Sequence, residues 1–134
     1  VVEVTSVDHA FQGVPRPLAA GPAKFHFVNE GAELHEGILF RRADGVDGDP
    51  VDLVNADPSG ESGDLEEVGV AYIGPAGDEA YLTAGPEPGA HVLVCFFPQG
   101  VTSMAELQED DGSGSPELDH RSAGMVVGFD VVDP

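Results

Sequence analysis

The sequence has one cysteine, Cys95, so no disulfide can close within the chain and the fold rests on its packed core. Cations are scarce as well: 5 lysines and arginines stand against 25 aspartates and glutamates, a formal net charge of -20. Such an acidic chain repels nucleic-acid phosphates and anionic membrane surfaces, which argues against both as partners. No apolar run approaches the ~18 residues of a membrane-spanning helix. No G-x-S-x-G, H-E-x-x-H, phosphate-binding loop or dinucleotide glycine pattern occurs, so the common hydrolase and nucleotide-binding signatures are missing. The sequence opens at Val1 with neither a methionine nor an apolar targeting segment, as expected of a processed or trimmed product.

What is abundant is punctuation. Eighteen glycines and eleven prolines are spread along the length, with short apolar runs between them, a pattern of turns and short strands. At 134 residues the chain is expected to form a single domain, 1–134, burying roughly two-thirds of the surface its unfolded form exposes. Val1 to Phe11 alternates as a first strand, and Gly13 to Pro22 is a proline-rich connection. Lys24 to Asn29 reads as a strand with Phe25 and Phe27 toward the core and Lys24 and His26 on the other face. His35 to Arg42 follows, too apolar at Ile38 to Phe40 for an edge strand. Ala43 to Gly63 is mainly loop, with one helical turn at Pro50 to Asn55. Further strands are expected at Leu65 to Ile73, Glu79 to Ala84, the run ending at Cys95, and Met125 to Val132. Ser103 and Glu106 have capping-box spacing, which places a short helix between Gly100 and His120. Seven or eight strands with turns between them point to an all-β antiparallel sandwich.

Four residues carry chemistry. Cys95 ends the apolar run His91-Val-Leu-Val-Cys95, His120-Arg-Ser-Ala-Gly-Met125 comes far downstream, and His35 opens a strand. Two imidazoles, a thiolate and a thioether suit copper that cycles between two oxidation states: imidazole favours Cu(II), sulfur favours Cu(I), and the mixture keeps both accessible.

Phe27-Val28-Asn29-Glu30-Gly31 with His35, then Cys95, His120 and Met125, resembles the ligand signature of the cupredoxins, over about Val2 to Val132. The nearest likeness is to extracytoplasmic bacterial and archaeal members with a His-Glu pair at the first ligand position, here His35-Glu36. The resemblance implies a Greek-key β-sandwich with His35, Cys95 and His120 as equatorial copper ligands, Met125 as the axial one, and the short helix inside the Cys95–His120 loop. It implies a secreted, periplasmic or cell-surface protein in single-electron transfer or copper handling, with no substrate and no enzymatic activity, since the four donors fill the coordination sphere. Small electron-transfer cupredoxins place few residues between cysteine and histidine, whereas 24 intervene here. The copper nitrite reductases, whose cysteine is followed by a Pro-Gly-containing loop like Phe97-Pro98-Gln99-Gly100, resemble it a little more. Doubling a loop adds only about 0.6 kcal/mol of closure entropy, so an excursion there is compatible with the site.

Other readings stay open at this level. A cupredoxin-like module without metal would serve adhesion or assembly, and Cys95, His120 and Asp119 could be read as a cysteine hydrolase. Met104 is a second thioether, and His91 shares a strand face with Leu93 and Cys95, a place for an outer-sphere partner. Asp44 to Asp52 is acid-rich but lacks the spacing of a calcium loop. The acidic coat fits either solubility, including in high salt, or docking of a basic redox partner.

Overall fold

A computed structural model describes residues 2–7, 10–31, 35–56, 63–74, 77–95 and 125–133. In chain order these form β1 (Val2–Val7), β2 (Ala10–Gln12), β3 (Leu18–Ala19), β4 (Ala23–Asn29), β5 (His35–Arg42), α1 (Pro50–Ala56), β6 (Leu65–Ile73), β7 (Glu79–Ala84), β8 (Gly89–Val94) and β9 (Val126–Val132). Among the described residues no helix is long and apolar enough to cross a membrane.

The strands form two sheets, β2-β1-β4-β7 and β3-β9-β8-β5-β6. Three details differ from the sequence reading. The expected first strand is two, with β2 turning back antiparallel on β1 so that Thr5 faces Gln12 and Val7 faces Ala10. The proline-rich connection contributes β3. Finally, two pairings in this sandwich are parallel: β1 with β4, and β3 with β9. The expected helix between Gly100 and His120 lies outside the described residues, and the helix that is described, α1, occupies the helical turn expected at Pro50. Asp49 caps it: its side-chain oxygen accepts the Val51 N–H at 2.9 Å, and Pro50 fills the first helical position, where a missing N–H costs nothing.

Alternation sets the core. Phe25 and Phe27 point inward from β4, stacked at 6.5 Å, and Phe11 meets Phe27 edge-on at 6.2 Å. Val4, Leu39, Leu82, Leu93, Val127 and Phe129 complete the layer between the sheets. Gly37 on β5 is what lets the Phe27 ring lie so close: a β-carbon there would sit 2.9 Å from Phe27 Cζ. Gly37→Ala is therefore expected to destabilise by about 1–3 kcal/mol through overpacking, read as a lowered denaturation midpoint. A variant as stable as the parent would show that the ring can retreat.

β8 is apolar from Val92 to Val94 because both its faces are covered there. Leu93 enters the main core, while Val92 and Val94 face Val54 of α1 on the outer side of the five-stranded sheet. This double burial produces the uninterrupted run ahead of Cys95.

Candidate metal centre

Three of the four expected ligands fall at one end of the five-stranded sheet. β9, β8 and β5 are neighbours in that order. β8 and β9 are registered with Val94 opposite Val126, and one step further the Cys95 N–H donates to the Met125 carbonyl at 3.1 Å. β8 and β5 place Val94 opposite Ile38, so the same ladder carried on by one residue sets Cys95 against Gly37, two residues from His35. Diagonal neighbours of this kind lie about 7–8 Å apart at their α-carbons, which is within side-chain reach of a shared point. His35, Cys95 and Met125 all have 0% of their surface exposed, and Cys95 and Met125 belong to the core cluster between the sheets.

The sulfur has a directed donor. The backbone N–H of Glu36 points at Cys95 Sγ, 3.3 Å away. An N–H aimed at sulfur favours negative charge there and suits a thiolate better than a thiol. At the end of β4 Asn29 is also buried: its side-chain oxygen accepts the Gly31 N–H at 2.8 Å and its amide donates to the Gly74 carbonyl at 2.8 Å. The turn leaving β4 is thereby tied to the turn leaving β6.

His120 lies outside the described residues, as do Met104, Asp119 and His9. Among the described residues no three His, Cys, Asp or Glu side chains gather into a metal-holding cluster. Of the four expected ligands only His35 and Cys95 are both of those types and described. The donors fit copper by their chemistry: a buried imidazole, a buried sulfur with its own N–H donor and a buried thioether are carried at the same end of adjacent strands, closed off from water.

The other described histidines stand apart. His91 is four residues from Cys95 along the strand, about 13 Å, too far for an outer-sphere role. Its ring is buried against Phe129 at 5.7 Å, and Nδ1 donates to the Gly89 carbonyl at 3.0 Å. Burial pushes its pKa down, so the ring is neutral. It lines a cleft of about 320 Å³ at the far end of the sandwich, with Arg16, Asp49 and Asp130.

His26 lies on the outer face of the four-stranded sheet, where Nδ1 meets Glu3 at 2.7 Å and Nε2 meets Glu79 at 2.9 Å. With both ring nitrogens held by carboxylates it is a clamp across β1, β4 and β7. Hydrogen bonding to Glu3, reinforced by Glu79, raises its pKa above 6.5 against the opposing effect of burial. A raised folded-state pKa stabilises below the unfolded value and fades as pH climbs through the folded one. Wild type should thus exceed His26→Gln in thermal stability at about pH 5.5 and lose that margin by about pH 9. An equal margin at both would remove the imidazolium from the account.

No family model matches the sequence, and no curated protein matches it. Solved structures do. Auracyanin B superposes with a TM-score of 0.58 at 20% identity, covering 98% of this chain and 87% of that one. This is the cupredoxin fold. Auracyanin from Roseiflexus castenholzii, in its dithionite-reduced form, matches with a TM-score of 0.55 at 17% identity over 97% of this chain and 94% of that one. Auracyanin A from Chloroflexus aurantiacus, described as a "blue" copper protein, gives 0.57 at 16% over 98% and 97%. The cupredoxin fold accounts for the position of the three described residues at one rim, since the strands that carry them are adjacent in the sheet.

Sequence reasoning did not find the Glu36 N–H. A backbone donor leaves no mark in residue identity, and only the pairing of β5 with β8 brings it to the sulfur.

Proposed function

We propose that this chain binds one copper ion through His35, Cys95, His120 and Met125 and carries single electrons to and from a basic partner protein outside the cytoplasm. The observation that carries this reading is the buried Cys95 sulfur, which accepts the Glu36 N–H at 3.3 Å while Cys95 itself is hydrogen-bonded to Met125. Bound copper would supply a one-electron couple. The chain's own contribution is rigidity and exclusion. Three adjacent strands position His35, Cys95 and Met125, burial keeps water from these three, and the Glu36 N–H draws charge from the sulfur. Four protein donors leave no open position for a substrate, so this is a carrier rather than an enzyme.

Addition of Cu(II) to the metal-free protein is expected to produce intense visible thiolate-to-copper absorption, abolished in Cys95→Ser. A protein that stays colourless while remaining folded would overturn the reading in favour of a metal-free adhesion or assembly module.

A further inference from the structure

Paired residues on antiparallel strands point to the same face of a sheet. The register of β5 with β6 therefore sets Glu36 beside Tyr72, Ile38 beside Val70 and Phe40 beside Glu67 on the outer face of the five-stranded sheet. β6 is an edge strand of that sheet. Tyr72 is 64% exposed and Val70 37%, two of the four large apolar side chains left in solvent among the described residues. An exposed aromatic beside an exposed valine on one strand face is the kind of surface that another protein covers.

This patch has a short covalent and hydrogen-bonded route to the candidate centre. Tyr72 stands opposite Glu36, whose N–H reaches Cys95 Sγ at 3.3 Å. With about 5 Å between cross-strand α-carbons, the Tyr72 backbone lies within roughly 10 Å of the sulfur. The other exposed tyrosine has no such route: Tyr81 is on β7 of the opposite sheet, stacked on His26 at 4.6 Å with Lys24 Nζ 4.5 Å from its ring.

Charge indicates what would cover it. On this face Val70 is followed by the exposed Glu67, while both cations of these two strands, Arg41 and Arg42, are at the far end of β5; Arg42, on the same face as Ile38 and Phe40, has its guanidinium donating to the Gly48 carbonyl at 2.6 Å. The whole chain carries -20. The geometry points to the Tyr72–Val70 stretch of β6 as the docking face for a small basic one-electron carrier, apolar at the middle of its contact surface and lysine-rich at the rim. Its purpose rests on the copper reading above. Each encounter moves one electron: the carrier is oxidised by one and the centre reduced by one, or the reverse, with no bond made or broken and no proton transferred. Opposite charge speeds the encounter, and the apolar pair holds it in register.

The test uses the full chain, with and without Cu(II), and cytochrome c as the basic probe. In the metal-free protein, backbone amide shifts on titration are expected to concentrate at residues 67–72. Tyr72→Ser should weaken binding by about fivefold or more, the loss typical of an aromatic anchor, while Tyr81→Ser leaves it unchanged. In the copper-loaded protein the second-order rate of electron exchange should fall by the same factor for Tyr72→Ser, at unchanged visible spectrum. Equal effects of the two serine variants, or none from Tyr72→Ser, would reduce the association to general attraction by an acidic coat and overturn the docking face. The two readings fail separately. Shifts at β6 without colour on adding Cu(II) would sink the copper reading alone, and colour with indifference to Tyr72 would sink the docking face alone.

Discussion

Phe27→Ala is expected to lower the stability of the metal-free protein by about 3–5 kcal/mol, the range for truncating a fully buried aromatic. The ring is 0% exposed and touches both sheets: it stacks on Phe25, meets Phe11 edge-on, and rests against the backbone of β5 where Gly37 leaves room. No neighbour can follow it into the void, because β5 is pinned between β6 and β8 by pairing on both sides. For a chain of this length the loss corresponds to a drop of roughly 10 °C or more in melting temperature. A change under about 1 kcal/mol would mean that the layer between the sheets closes over the gap, contrary to the packing described.

Copper itself should stabilise the fold, and by a comparable amount. A ligand that binds only the native state contributes about 4 kcal/mol when present at a thousandfold its dissociation constant. The donors expected to hold it come from distant parts of the sequence and meet only in the folded chain, so the unfolded state competes poorly. Melting with and without Cu(II) should therefore differ by roughly 10 °C, and Cys95→Ser, compared with its own metal-free form, should erase most of that difference. Equal shifts in parent and variant would place the bound copper elsewhere, for instance on surface carboxylates.

How much of this could be read from the sequence depends on whether the deciding interactions are local. The alternation of Phe25 and Phe27 with Lys24 and His26 gives the orientation of β4 outright. The bounds of β5 at His35 and Arg42, and of β6 and β7, fall where apolar periodicity and glycine turns put them. The split of the first strand was hidden because Val2, Val4 and Ser6 alternate regularly and no glycine or proline marks the reversal before Phe11, although Phe11 itself falls out of phase with them. The parallel pairing of β1 with β4 was hidden for another reason. Parallel neighbours are brought together by packing across a long connection, and neither strand carries a turn that announces its partner. At the candidate centre, residue chemistry singled out His35, Cys95 and Met125. Their approach to one rim came from the order β9-β8-β5, which no single segment encodes. The tyrosine opposite Glu36 emerged only from register.

The position of β9 between β3 and β8 has a consequence for biogenesis. Until the ribosome has delivered that strand, β8 has no partner on one side, and the sulfur of residue 95 has no thioether beside it. A nascent polypeptide therefore offers an incoming cuprous or cupric ion only scattered single donors. On the copper reading proposed above, metallation would follow the docking of β9 on β8.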